Sequence, residues 1–186
     1  MRDMPPLDHI REALSYDLET GLLTWKNRPL FHFQDSRAMK IWNTRYAGKK
    51  AGKLLKSGYI QLRIDRLSYR SHHIAWVLCG QTLSDNLEID HKNRIRNDNR
   101  FSNLRECTRS QNNCNSRTRS TNRLGIKGVH FEKHTGKFRA EIALNHKSKH
   151  LGRFLTAEEA HAAYCAAADE IHGTFSNHGT TERQTI

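Results

Sequence analysis

The residues best suited to chemistry lie in one run, Ile89-Asp90-His91-Lys92-Asn93-Arg94-Ile95-Arg96-Asn97-Asp98-Asn99-Arg100-Phe101-Ser102-Asn103-Leu104, followed shortly by Ser110-Gln111-Asn112-Asn113. Hydrolysis of a phosphodiester needs a base to activate water, a cation to neutralise charge on the phosphate and leaving oxygen, and rigid placement of both. Asp90 and His91 are adjacent, so on an extended strand their side chains point to opposite sides, a metal ligand on one and a base on the other. Asn112 offers a neutral amide oxygen that, with the Asp90 carboxylate, suits a hard cation such as Mg²⁺. Taken singly, each of these residues is as readily a turn or cap former. It is the ordered set that points to catalysis. Asn113 competes with Asn112, because one residue of helix rotation decides which of the two faces the metal.

The elements around this run can be read from pattern. Residues 7–14 suggest a short helix leading into Tyr16-Asp17-Leu18-Glu19-Thr20-Gly21-Leu22-Leu23-Thr24-Trp25, where Gly21 takes the positive φ of a turn before a strand; Trp25 is read as core. Residues 26–55 are basic and aromatic without clear period and are expected to be loop. Residues 58–65 alternate, Ile60, Leu62 and Ile64 on one face and Tyr59, Gln61 and Arg63 on the other, with residues 67–70 returning as the hairpin partner. Residues 71–79 form an apolar helix ending at Gly80. Neither His72 nor His73 is promoted to a role, since a histidine at the start of an apolar helix is more often structural.

Between residues 105 and 123 the composition turns to Arg, Ser, Thr and Asn, which cannot bury a core, and a domain boundary is expected there. Beyond it, residues 128–131, 137–142 and 149–154 read as three strands with turns at His134-Thr135-Gly136 and Asn145-His146. Thr156 and Glu159 make a capping box for a helix with Ala160, Ala163, Tyr164, Ala167 and Ile171 at helical spacing, closed by Gly173. The tail from residue 177 is expected to be loose.

Bulk properties narrow the partner. Among 186 residues, 31 Lys+Arg stand against 19 Asp+Glu, a formal charge of +12 that attracts polyanions. No apolar run approaches the length of a membrane span and no basic amphipathic helix stands out, so membrane association is not expected. The first residues lack the charged start and apolar core of a leader, and a cytoplasmic protein is expected. Cys79, Cys107, Cys114 and Cys165 are too scattered for a zinc knuckle and are read as reduced, unliganded thiols.

Residues 59–115 closely resemble the HNH, or ββα-metal, nucleases, in particular the phage and intron-encoded group that reads Asp-His, then an Asn-rich stretch ending Asn-Leu, then Gln-Asn. Tyr69-Arg70-Ser71-His72-His73-Ile74-Ala75-Trp76 looks like the lead-in, Asp90-His91 the first strand, Asn103-Leu104 the central Asn, and Gln111-Asn112 the third position, on a helix. The resemblance implies that His91 is the general base, Asp90 and Asn112 hold the metal, and Asn103 fixes the loop that orients His91. Many members carry His where this chain has Asn112; the all-oxygen set favours Mg²⁺ or Mn²⁺ over Zn²⁺.

Residues 125–173 are similar to the DNA-binding domain of plant ethylene-response factors, through Gly128-Val129, Phe138-Arg139-Ala140-Glu141-Ile142, His150-Leu151-Gly152-Arg153-Phe154 and Thr156-Ala157-Glu158-Glu159-Ala160. That resemblance implies a three-stranded sheet laid in the DNA major groove with a helix behind it. Lys127, His130, Lys137, Arg139, Lys149 and Arg153 become candidate DNA contacts, Arg139 first because a guanidinium can bind guanine bidentately. The tryptophans that the family carries on that outer face are absent from this chain. Arg117 and Arg119, in the tether, could track the backbone, as could Arg105, Arg109 and Arg123.

The expected fold is therefore α+β. It comprises an N-terminal helix, hairpin and basic loop region (1–57), a ββα-metal nuclease domain (58–116), a basic linker (117–124), a small three-stranded antiparallel sheet packed on one helix (125–175) and a tail (176–186). The expected function is a site-directed, homing-type DNA endonuclease, phage-encoded, using a single divalent metal and a His base on double-stranded DNA, as a monomer or weak dimer with no obligatory protein partner. The alternatives are a non-catalytic DNA-binding regulator acting through the C-terminal domain, or a structural zinc module built on Cys79, Cys107 and Cys114.

Overall fold

The structure is a computed structural model that describes residues 4–116, 118, 122–144 and 147–179. Helices and strands are mixed, the sheets are small and antiparallel, and the chain divides into two compact units, Met1–Glu106 and Cys107–Ile186. The division falls earlier than the expected linker, at the end of a strand.

In the first unit α1 (Leu7–Ala13) runs into a hairpin of β1 (Leu14–Tyr16) and β2 (Leu23–Trp25). Its loop is shaped by the Asp17 carboxylate, which accepts from Glu19 N at 2.9 Å and Thr20 N at 3.2 Å, and by Gly21 at φ 71°. Residues 26–55 are not a loop throughout. A 3-10 turn at Leu30–His32 precedes α2 (Ser36–Tyr46), and β3 (Lys53–Leu54) follows. In the helix Ala38, Met39, Trp42 and Tyr46 share one apolar face but are only half-buried. Asp35 caps it, accepting from Ala38 N at 2.7 Å. Trp42 anchors it, meeting the Trp25 ring edge-on at 5.1 Å, with the Arg28 guanidinium 5.1 Å over the Trp42 ring.

β3 pairs with β4 (Ile60–Ile64), and β4 with β5 (Leu67–Arg70), in a three-stranded antiparallel sheet. The Ile64–Leu67 pair closes a two-residue turn, Asp65-Arg66, both at positive φ (47° and 68°), as a type I′ turn requires. Neither residue is Gly; the strained corner is braced by Arg28, whose Nη2 donates to Asp65 Oδ1 at 2.6 Å. Leu62 and Ile64 face inward onto Ile10, Ala13, Leu14, Leu23, Trp25 and Ile74. α3 (Ser71–Leu78) follows β5 directly, and its Ala75 and Trp76 join Ile89 and Leu104 in a second core cluster beneath the paired strands β6 (Glu88–His91) and β7 (Leu104–Cys107).

The second unit opens with α4 (Arg109–Cys114), capped by a Thr108/Gln111 box. Strands β8 (Val129–Glu132), β9 (Lys137–Leu144) and β10 (Lys147–Phe154) form an antiparallel sheet ordered β10-β9-β8, bulged between His150 and Gly152. α5 (Ala157–His172) packs across it behind the predicted Thr156/Glu159 box. Its small residues bring helix and sheet close: Ala160 meets Val129 and Ala140, and Ala168 lies beside Ile142 and Tyr164. Asn177 is not loose. It is buried, and its amide donates to Asn115 O at 2.7 Å and Ser116 O at 3.0 Å. The remainder of the expected tail, the Asn145-His146 turn and both Arg117 and Arg119 lie outside the described residues.

Gly21 joins the hairpin loop to the Asn-rich segment that carries the chemistry. A Cβ there would stand 2.4 Å from Arg100 N and 2.5 Å from Asn99 C, and its φ is left-handed. Gly21→Ala is expected to destabilise the first unit by at least ~1–2 kcal/mol, read as a lower urea midpoint; an unchanged midpoint would show that the loop yields freely.

Candidate active site

β6 ends in Ile89-Asp90-His91, all buried, and the chain then leaves in a closed loop that returns at β7. The loop is built on asparagine amides. Asn103 is 8% exposed; its Nδ2 donates to Asn93 Oδ1 at 3.0 Å and Asp98 O at 2.8 Å, while its Oδ1 accepts from Asn93 N at 3.0 Å. Lys92 N donates to Asn103 O at 2.9 Å, tying the first residue after His91 to the last of the loop. Three of four amide valences are thus used inside one turn, which is why an Asn and not an Asp or Ser is needed there. Asp98 is braced from outside by Arg100 at 2.6 Å and by Asn93 Nδ2 at 2.6 Å; the guanidinium first, and the amide with it, hold its carboxyl down at about 2.

The His91 side chain meets a residue that sequence reasoning passed over. Its Nε2 lies 3.1 Å from Asn99 Oδ1, and Asn99 is 1% exposed. An amide oxygen only accepts, so Nε2 carries the proton and Nδ1 is the basic nitrogen of the neutral ring. Asn99 is in turn held by the N-terminal hairpin, the Tyr16 hydroxyl donating to Asn99 O at 2.7 Å. Burial pushes the Tyr16 phenol far up, so it stays protonated and remains a donor. The only sequence signal for Asn99 was its place in an Asn-rich run in which every asparagine looked alike.

His72 lies against the same ring. It is 5% exposed, its ring centroid stands 4.9 Å from that of His91 in edge-to-face geometry, and its Nδ1 is buried with no hydrogen-bond partner. Burial, then the neighbouring His73 and His91, holds its pKa well below the ordinary imidazole value of 6.5; burial lowers His73 and His91 as well, the latter offset in part by Asn99 and Asp90. All three rings are therefore neutral at pH 7.

Asp90 faces away from His91 along β6, as alternation requires, and Arg105 of β7 reaches it, Nε at 3.0 Å and Nη2 at 2.9 Å, both on Oδ2. A half-desolvated ion pair of this kind costs about 3–5 kcal/mol to break from one side. Asn112 sits mid-helix in α4, half-buried, whereas Asn113 is exposed. A carboxylate and an amide oxygen are each the type of donor that a hard cation takes. Among the described residues the only group of three His, Cys, Asp or Glu close enough to share an ion is His9, Glu12 and His32, which includes no cysteine. There Arg28 Nε donates to His32 Nδ1 at 3.0 Å, so His32 Nε2 keeps its proton for Glu12 at 2.8 Å and is not a ligand.

In the C-terminal unit the candidate DNA contacts separate into two groups. Lys127 is spent on the end of α4, its Nζ donating to Cys114 O and Ser116 O at 2.7 Å each, where a cation suits the helix dipole. On the sheet, Arg139 stands 2.9 Å from Glu141 and 3.6 Å from Glu132, Arg153 bonds Glu132 at 2.6 Å, and His130 lies 3.1 Å from Glu141. Glu132 is consequently held below the ordinary carboxylate range, by Arg153 first. Lys137 and Lys149 are both exposed, but Lys149 stands opposite Ile142 and so projects from the helix side of the sheet, apart from the outward contacts.

Three comparisons bear on this geometry. Residues 69–114 match the family model described as HNH endonuclease, a span that contains His72, Asp90, His91, Asn99, Asn103 and Asn112. Neither a curated relative nor a solved structure matches the chain. No helix among the described residues is long and apolar enough to cross a membrane.

The neutral imidazoles of buried His72 and His91 and of half-buried His73 set a sign for acid stability. Their folded pKa values lie below the unfolded ones, so the unfolded chain takes up protons first and stability falls as pH drops below about 6.5. Melting temperature is expected to decline from pH 7 to 5, and less steeply in His72→Phe. Equal slopes would remove His72 from the buried set. Asn99→Ala is expected to slow any cleavage by about ten- to a hundredfold while leaving DNA affinity in place, and Tyr16→Phe less, measured in the same assay.

The segment that builds this site, residues 69–114, thus matches the HNH endonuclease family model, and that match supports a nuclease reading of the site.

Proposed function

We propose that the protein is a site-directed DNA endonuclease of the homing type, phage-encoded, that cuts phosphodiester bonds with one divalent metal. The observation that carries this reading is the pairing of His91 Nε2 with Asn99 Oδ1, 3.1 Å apart, inside the matched HNH segment. It leaves the basic lone pair on Nδ1 of a buried, neutral ring, which is the form a general base must have. His91 takes the proton of the attacking water. Asn103 holds the loop closed so that the ring does not swing, and Asn99 fixes its tautomer. Asp90 and Asn112 would hold Mg²⁺ or Mn²⁺, which when bound supplies charge neutralisation at the phosphate and the leaving oxygen. Arg105 holds the Asp90 carboxylate in place through Oδ2. A single such centre cuts one strand.

The C-terminal unit is proposed to position the cut, in the manner of the ethylene-response-factor sheets it resembles. Its outer face presents His130, Lys137, Arg139 and Arg153. Glu132 and Glu141 hold Arg139 in one rotamer, which favours bidentate reading of a base over loose phosphate attraction. Arg117 and Arg119 are assigned to the backbone by their place in the tether.

His91→Ala is expected to lower nicking of supercoiled plasmid in Mg²⁺ by at least ~10²-fold, with salt-sensitive DNA binding retained. Cleavage at the wild-type rate would remove His91 as the base. Arg139→Lys should keep affinity within a few-fold while broadening the cleavage positions mapped on a random-sequence library; unchanged positions would mean the sheet does not direct the cut.

A further inference from the structure

Between Asp35 and Asp65 the sequence holds no acidic residue and eight basic ones, Arg37, Lys40, Arg45, Lys49, Lys50, Lys53, Lys56 and Arg63. All eight are exposed, and among the described residues none has a carboxylate partner, Arg63 alone donating from its side chain to a backbone oxygen, that of Arg66 at 3.0 Å. The contrast with the C-terminal sheet, whose Arg139 and Arg153 are already neutralised by glutamates, is marked. An unpaired cation is the one that gains most from a phosphate, because it surrenders only water and counterions.

Strand register shows where part of this charge goes. Lys53 of β3 stands opposite Gln61 of β4, and Gln61 opposite Arg70 of β5. Opposed residues project from the same face, so the three make one row across the sheet, on the side away from Leu62 and Ile64. Arg63 lies two residues along on that face. Lys53, Gln61 and Arg63 line an open groove of about 1120 Å³, walled by the aromatic residues of α2. The one carboxylate in it, Asp65, is engaged by Arg28.

At the Arg70 end the row reaches the catalytic loop. The Arg70 guanidinium lies 5.1 Å over the Tyr59 ring, and the Arg96 guanidinium 5.0 Å over the same ring, with Arg96 Nη1 donating to Ser57 O at 2.9 Å. The Tyr59 ring is 5.9 Å from that of His91. Arg70 Nη1 is buried and has no hydrogen-bond partner. A desolvated guanidinium N–H left unsatisfied costs ~1–3 kcal/mol and is kept where a ligand completes it.

We propose that this row is the path of the DNA backbone: Arg70 and Arg96, stacked on Tyr59, hold a phosphate next to the one being cut, and the strand runs on over Gln61 to Lys53 and Arg63. Resting on the nuclease reading for its place in catalysis, the proposal gives the N-terminal unit its own sequence-independent grip on DNA. It also explains why that grip lies in a segment without acids.

The test is fluorescence anisotropy of the full-length chain with a labelled duplex, without divalent metal, over a series of salt concentrations. Lys53→Gln, Arg63→Gln and Arg70→Gln are each expected to weaken binding several-fold and to reduce the slope of log K against log salt by about 0.9; the triple variant should lose about three times that. Arg70→Lys should keep the slope. A triple variant that melts like the wild type and keeps the wild-type slope overturns the proposal; so does the same slope in Lys53→Gln and Arg63→Gln if the Arg70 variant does not fold. Plasmid cleavage in Mg²⁺ is scored separately. Slope loss without cleavage by the wild type would sink the nuclease reading and leave the groove standing, and cleavage with unchanged slopes would do the reverse.

Discussion

Burying an imidazole against a second one and near the Arg96 guanidinium favours its neutral form, and at His91 the Asn99 amide decides which nitrogen then carries the proton. That single hydrogen bond has requirements that spread through the first unit. Asn99 must be fixed, so its carbonyl is held by Tyr16 and its backbone lies against Gly21, where no side chain fits. Tyr16 must be fixed, so β1 and β2 close a hairpin on the main core. The loop between His91 and β7 must not open, so Asn103 is satisfied on three sides within it. The N-terminal hairpin is therefore part of the site's support, although no residue of it has reactive chemistry.

The two halves of the chain use positive charge differently. On the C-terminal sheet, arginines are paired with glutamates on the same surface, which restricts their rotamers and lowers their net attraction for phosphate. In the N-terminal unit, lysines and arginines stand without carboxylate partners along residues 37–63. In the proposed function the first arrangement suits discrimination and the second suits grip.

What was legible in the sequence had period or obligatory chemistry behind it. The alternation of Ile60, Leu62 and Ile64, the Gly21 turn, the helix ending before Gly80 and the Thr156/Glu159 box follow from local rules, and the structure contains each of them. The α2 helix was hidden because it buries nothing completely and depends on Asp35 and Trp42. The Asp65-Arg66 turn was hidden because its positive φ values are enforced by Arg28, far away in sequence, and not by glycine. Asn99 and Arg70 were hidden for a common reason: what sets them apart is what they touch across the fold, and composition gives no hint of that. Conversely, Lys127 looked like a DNA contact from its charge, yet it caps α4.

The central claim is that a neutral His91, with a pKa lowered by burial, removes the proton from water. Single-turnover cleavage of labelled duplex in saturating Mg²⁺, followed across pH, tests it most directly. The rate should rise tenfold per pH unit in acid, bend at a midpoint below the ordinary imidazole value of about 6.5 and stay level through neutrality. A rate that keeps rising through pH 8, or one that shows no acid limb, would contradict it.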